Sequence, residues 1–277
     1  MALSIQSNAA SKSIQNQLSR TNNDLSVALE RLGSGFRINS AKDDAAGLQI
    51  ANRLNAQVRG QEAAIYNANN ANSMLQTAEG AFEEMTNIAY RMKELATQGA
   101  NGTNNTSEYT AMSAEFDALS EELTNIMTNT SYGSGTTLLT GGKFAAAIDL
   151  QIGSSAAEVM NVDISAEIGD VDTAIGALTG LADQASSVTT MAEIDTIIDT
   201  VGAARASLGA TMNRLDHTIN NLTNMVENTS ASASQLMDAD FAKETSNMTK
   251  QQLLMNSGIS VLSASNSTTQ MIGSLLR

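Results

Sequence analysis

Two apolar stripes, one at each end of this 277-residue chain, constrain its fold more than any other feature. Near the start, Ile14, Leu18, Thr21, Leu25, Ala28 and Leu32 follow alternating steps of four and three. Near the end, Met248, Met255, Leu262, Thr269 and Leu276 recur every seven residues, and Leu254, Val261, Thr268 and Leu275 run beside them. Such steps align side chains on one helix face. Chain ends ordinarily fray. A pattern carried to the next-to-last residue points instead to ends that pack, against each other and against further copies of the chain. The candidate self-association residues are Ile14, Leu18, Leu25, Leu32, Leu254, Val261, Leu262, Leu275 and Leu276.

The rest of the composition agrees with helices joined by thin seams. Hydrophobic residues make up 42 % of the chain but aromatic ones only 3 %, with no Trp. A thick core built on large rings is therefore excluded. There is no Pro, the residue that breaks helix interiors. Its absence also suits a chain that unfolds and refolds without slow isomerisation. There is no Cys, so disulfide and thiol chemistry are excluded. An ordinary thiol-free protein and an exported one both fit that composition. No stretch reaches the roughly 18 apolar residues of a membrane span, and residues 1–10 lack the basic-then-apolar order of a cleaved secretory signal.

Charge is unevenly placed. From Glu94 to Ala204 the chain holds 16 acidic residues and one basic residue, Lys143. The two ends are close to neutral. Neutral ends can pack densely, whereas an acidic middle faces solvent and resists nonspecific association. No basic stripe interleaved with aromatics exists, which argues against nucleic-acid binding.

Along the chain, residues 1–32 read as one amphipathic helix, interrupted at Gly33-Ser34-Gly35. Ser40 with Asp43 reads as the cap of the next helix. That helix follows Leu48, Leu54, Val58 and Ile65, then Leu75, Ala78, Phe82, Met85, Ala89, Met92 and Ala96. Gly99 to Asn105 has turn composition. Tyr109, Met112, Phe116, Leu119, Leu123 and Ile126 mark a third helix. Alternation at Ile148, Leu150 and Ile152, and again at Met160, Val162 and Ile164, predicts a β-hairpin. Residues 165–190 are expected to be short and exposed. Thr190-Met191-Ala192-Glu193 reads as a capping box that starts a long helix from Ile194 to Met225. The expected fold is mainly α: long antiparallel helices forming a terminal coiled coil and a helical bundle, with a small β-hairpin region.

Residues suited to catalysis or metal binding are sparse. His217 is the only His. With no Cys and no H-E-x-x-H, the usual zinc sites are excluded. A Ser-His-Asp triad is open by count, but no G-x-S-x-G elbow accompanies it. Gly33-Ser34-Gly35-Phe36 lacks the Gly-Lys-Ser/Thr of a phosphate loop and reads as a hinge. Asp43-Asp44 could serve as paired carboxylates, yet both are expected in a first helical turn, where negative charge is favourable anyway. No enzyme activity, cofactor or metal is expected.

The run Leu32-Gly33-Ser34-Gly35-Phe36-Arg37-Ile38-Asn39-Ser40-Ala41-Lys42-Asp43-Asp44-Ala45-Ala46-Gly47 closely resembles the signature of bacterial flagellins. Asp240-Phe241-Ala242-Lys243-Glu244-Thr245-Ser246-Asn247-Met248 and the ending Ser274-Leu275-Leu276-Arg277 support it. The chain looks like a short flagellin without large variable outer domains. Many relatives carry a Pro shortly before the final Leu-Leu-Arg, and Asn266–Met271 has none.

The resemblance implies a subunit that polymerises into the flagellar filament for swimming. It implies residues 1–33 and 240–277 as an inner-tube coiled coil, 34–55 as a spoke, and 56–190 with 191–239 as an outer-tube bundle carrying a hairpin near 137–164. It further implies secretion by type III export and an extracellular place in the filament. The implied partners are an export chaperone, a filament cap and hook-associated junction proteins. A flagellin-sensing Toll-like receptor is implied through Arg91, Leu95 and Glu115, although Lys93 stands where many activating flagellins have Arg. Two other readings remain: a hook–filament junction protein, which shares similar end helices, and a secreted helical effector acting on a host.

Overall fold

The computed structural model describes residues 8–275, and at 269, 270 and 272–275 the backbone alone. Among the described residues the helices are α1 (Ala9–Ser34), α2 (Ala45–Gly99), α3 (Thr106–Asn129), α4 (Ser165–Gly176), α5 (Gln184–Met237) and α6 (Phe241–Leu275). Two antiparallel strand pairs lie between α3 and α4: β1 (Ser131–Tyr132) with β2 (Thr136–Thr137), and β3 (Ile148–Gln151) with β4 (Val159–Val162). The chain divides into two compact units, Met1–Ala56 with Asn228–Arg277, and Gln57–Glu227.

In the first unit α1 packs antiparallel on α6. The Asn8 side chain caps α1 by accepting from Ser11 N–H at 3.0 Å. At its other end Gly35 turns left-handed, with φ 76°, and donates to Arg31 O. The helix thus runs two residues past the expected break, because Gly33 and Ser34 still fit helical geometry and only Gly35 needs a positive φ. Past it, Phe36 and Asp238 form an isolated antiparallel bridge, and Arg37 N–H donates to Met237 O at 2.6 Å.

The start of α2 differs from expectation. Asp44 caps it, accepting from Gly47 N–H at 2.8 Å. Ser40 instead donates to Asp43, through its N–H at 2.9 Å and its hydroxyl at 3.1 Å. The two aspartates therefore fill separate structural roles just before the helix rather than both lying in its first turn. The Asp43 carboxyl is held below its ordinary pKa by the Ser40 N–H, then the Ser40 hydroxyl and Asn39 N–H.

In the second unit the predicted stripe of α2 is the core. Leu75, Ala78, Phe82, Met85, Ala89, Met92 and Ala96 are all buried. They pack with Phe116, Leu123 and Met127 of α3 and with Ile194, Ile197, Val201 and Leu208 of α5. The capping box of α3 is complete: Asn105 accepts from Glu108 N–H while Glu108 accepts from Asn105 N–H.

Two local expectations are overturned in this unit. Residues 165–190 are not an exposed strip: α4 buries Ile168, Val171, Ala174 and Ile175 against the core. Nor does Thr190 start a helix. α5 begins at Gln184, with Asp183 accepting from Ser186 N–H at 2.7 Å and Ser186 Oγ accepting from Asp183 N–H at 2.8 Å. Thr190 is fully buried within the helix and donates to Gly180 O, while Glu193 accepts from Thr179 N–H. The Thr190–Glu193 pair thus tethers the preceding turn.

The β3–β4 hairpin forms where alternation placed it, pairing Ile148 with Val162 and Gln151 with Val159. Its tip is tied by the Gln151 side-chain amide, which donates to Gly153 O and Ser155 O. It rests on α2 at Gly60, where an added Cβ would lie 2.7 Å from Ser154 Cβ.

Candidate self-association surface

The α1–α6 hairpin is in register along its length. At one end Ser11 Oγ donates to Asn266 Oδ1 at 3.1 Å, and Asn8 Nδ2 reaches Ser265 Oγ at 3.3 Å. In the middle Gly258 faces Leu18. At the other end Arg31 Nη1 lies 3.2 Å from Glu244 Oε1, whose side chain is only 8 % exposed. Polar contacts of this kind specify alignment, because a slipped pairing leaves them unsatisfied.

The candidate residues divide between two faces. Leu25 is buried against α6, while Ile14, Leu18, Leu32 and Leu262 are half-buried. Leu254 and Val261 are 45 % and 51 % exposed. They flank a groove of about 230 Å³ whose floor includes Ile14, Leu18 and Gly258. Leu276 lies outside the described residues, and the Leu275 side chain does too. Sequence reasoning missed Leu253, Ile259 and Met271, which are exposed on α6, and Val27 and Leu29, which are exposed on α1. They fall off the stripes, and for the three on α6 the signal was their size in a stretch with no charged residue from Gln251 to Leu275.

In the second unit Arg91 is exposed and pinned. Its Nε and Nη2 donate to Glu115 Oε1 at 2.9 and 2.8 Å, and Nη1 donates to Glu94 at 2.8 Å. Glu115, then Glu94, raises the Arg91 pKa further above its ordinary value. Leu95 is 2 % exposed and belongs to the core. One turn from Arg91, it faces inward. Lys93 Nζ donates to Met191 O and Asp195.

Among the described residues no cluster of three or more His, Cys, Asp or Glu is arranged to hold a metal ion. No described helix is long and apolar enough to cross a membrane. The surface features are those of a helical structural subunit: an aligned hairpin with uncovered apolar residues, joined in sequence to a packed bundle.

Residues 5–144 match the bacterial flagellin N-terminal helical region and residues 191–276 the C-terminal helical region. The chain is 35 % identical to a flagellin of Listeria innocua, covering 99 % of both chains. It is 33 % identical to polar flagellin C of Vibrio parahaemolyticus, covering 95 % of this chain and 96 % of that one. The crystal structure of Bacillus cereus flagellin is similar with a TM-score of 0.50 and 32 % identity, over 61 % of this chain and 94 % of that one. A putative flagellar hook-associated protein from Vibrio parahaemolyticus shares the fold with a TM-score of 0.54 at 16 % identity, over 71 % of this chain and all of that one.

The chain belongs to the bacterial flagellin family. It is a self-polymerising structural subunit of the flagellar filament, which serves swimming motility.

Proposed function

We propose that the α1–α6 hairpin is the polymerising element, and that copies bury one another's Leu254 and Val261 faces. The observation that carries this reading is the exposure of these two residues beside Leu253 and Ile259, on a helix whose other face already packs on α1. Each large aliphatic side chain gains about 1.5–3 kcal/mol on full burial. Residues 1–33 and 240–277 then line the inner tube, 34–55 form the spoke, and 56–190 with 191–239 form the outer tube. The chain acts outside the cell, after export with a chaperone and assembly under a cap onto junction proteins. It acts without catalysis.

Val261→Glu tests this. The substitution leaves the Ser11–Asn266 and Arg31–Glu244 contacts in place, but an unpaired carboxylate in an intersubunit seam costs several kcal/mol. Monomers with unchanged helical content and no filaments by electron microscopy are expected. Wild-type filament yield would sink the assignment. A junction protein is separated by the same microscopy, because it does not elongate. Full-length similarity to flagellins favours elongation.

A second role rests on the exposed Arg91–Glu115 pair, with side chains 45 % and 48 % exposed. The monomer presents it to a flagellin-sensing Toll-like receptor, with Leu95 supporting from beneath. A reporter assay comparing wild-type monomer with Arg91→Ala tests this, and equal responses would reject it.

A further inference from the structure

Asn101-Gly102 is the chain's one Asn-Gly pair, and it sits in the turn between α2 and α3. Both residues are exposed. The turn around them is fixed by three bonds. Asn101 O accepts from Asn104 N–H at 3.3 Å, Asn104 Nδ2 donates to Gln98 O at 2.6 Å, and Gln184 Nε2 donates to Ala100 O at 3.1 Å. Asn101 Oδ1 accepts from Thr103 N–H at 3.3 Å, the local bond that Asn forms with its own backbone two residues on. That bond closes a ring that contains the Gly102 nitrogen and folds the side-chain amide back toward it. Among the described residues nothing accepts from the Gly102 N–H or from Asn101 Nδ2. Gly102 also has no Cβ to keep another group off its nitrogen.

We propose that Asn101 is a site of spontaneous deamidation through a cyclic imide. The Gly102 nitrogen attacks Asn101 Cγ and forms the new N–Cγ bond. The Cγ–Nδ2 bond breaks, and Nδ2 leaves as ammonia with the proton given up by Gly102. Holding nucleophile and carbonyl in one ring lowers the entropic cost of the attack, and the Thr103 N–H stabilises the charge that grows on Oδ1. Water then opens the imide. Opening at Cγ gives aspartate, and opening at the α-carbonyl gives isoaspartate, whose chain passes through Cβ and Cγ. Either product adds a negative charge to the acidic middle of the chain. Isoaspartate also lengthens the turn by a methylene and draws Asn104 away from Gln98 O. Conversion accumulates with time, so Asn101 records the age of the chain. Asn72-Ser73 in α2 and Asn256-Ser257 in α6 also have a small residue next in line, but their N–H groups are committed to the helical ladder.

The experiment incubates full-length wild type and Gly102→Ala in mildly alkaline buffer, beside fresh protein of each. Digests are read by mass spectrometry, with isoaspartate separated from aspartate by chromatography. In the wild type the peptide carrying Asn101 gains the mass of an amide turned to an acid, as a mixture rich in isoaspartate. The peptides carrying Asn72 and Asn256 stay amides over the same period. Gly102→Ala keeps the turn, because φ at 102 is not left-handed and the added Cβ meets nothing nearer than the Gln184 amide at 3.4 Å. That methyl hinders the attacking nitrogen, so conversion slows several-fold. Should the Ala variant misfold, the isoaspartate found in the wild type carries the test. An Asn101 that remains an amide overturns the proposal. So does conversion to aspartate alone, which would mean direct attack by water, or an equal rate in the folded Gly102→Ala variant.

Discussion

Gly258 of α6 lies directly against Leu18 of α1, so that a Cβ at 258 would come 2.8 Å from Leu18 Cδ2 and 3.2 Å from its Cγ. A glycine inside a helix costs about 0.8–1 kcal/mol against Ala, so close approach is the reason for this one. Gly258→Val forces Leu18 aside, and overpacking of this kind costs about 1–3 kcal/mol. Limited proteolysis is expected to release residues of α1 and α6 while Gln57–Glu227 survives. Unchanged resistance of the hairpin would refute the role given to this contact.

Glu244 is the most buried charge of the hairpin, and Arg31 is its partner. Glu244→Ala leaves the guanidinium without its carboxylate in a partly buried place. Arg31 is 28 % exposed, so solvent recovers part of the loss. A cost of about 1–2 kcal/mol is expected, below the 3–5 of a fully buried pair. Urea unfolding of the terminal unit should shift accordingly. In a double-mutant cycle with Arg31→Ala, no coupling would show that alignment comes from Leu18–Gly258 and Ser11–Asn266 alone.

What could be read from the sequence follows from the strength of each local signal. The seams at Leu18–Leu25 and Leu75–Ala96 were legible, because steps of three and four over many turns have few other meanings. The β3–β4 hairpin was legible from alternation. The α5 start was not, because Thr190-x-x-Glu193 satisfies the same pattern as a true cap, and only the buried turn at Thr179–Gly180 explains its use. α4 was hidden by small residues, although Ile168, Val171 and Ile175 did hold helical spacing. For the site, sequence identified Leu254 and Val261 but not which side of α6 they face.

Three aspartates bind serine N–H groups at chain turns, and all three are held below their ordinary pKa. Ser40 N–H dominates for Asp43, the Ser165 hydroxyl for Asp163 and Ser186 N–H for Asp183. A pKa lower in the folded than in the unfolded chain favours the folded state above the unfolded value, about 3.9. That support is lost as pH falls through the folded value. Amide nitrogen shifts of Ser40, Ser165 and Ser186 should therefore titrate with midpoints below ~3.9. A midpoint at or above that value for Ser186 would contradict the cap at Asp183.

The hairpin tip offers a separate test at Gly60. Gly60→Ala places a methyl 2.7 Å from Ser154 Cβ and 3.2 Å from its Cα, so backbone as well as side chain must give way. Helix propensity pulls the other way by up to about 1 kcal/mol. The clash is expected to win, because Ser154 sits in a loop tied by Gln151 and cannot swing out alone. Hydrogen exchange at Ile148–Gln151 and Val159–Val162 should quicken in the variant. Slower exchange would mean that the tip relaxes freely and that Gly60 is not needed for the approach.

Leu25 supplies the sharpest contrast with Val261, because it lies inside the intramolecular seam, at 8 % exposure. Leu25→Glu buries a carboxylate against α6, with Ala28 and Thr21 as its buried neighbours along α1 and no cation among them. The cost of several kcal/mol falls on the hairpin itself, before any copy is met. Filaments should be lost, as for Val261→Glu, but the monomers should differ. Leu25→Glu should lower helical content and leave α6 open to protease, whereas Val261→Glu should do neither. The bundle core, built from Phe82, Phe116 and Leu208 in the other unit, should melt as in the wild type in both. Two variants with identical monomer behaviour would mean that the hairpin does not close until copies assemble, and the division of the stripe into an inner and an outer face would fall.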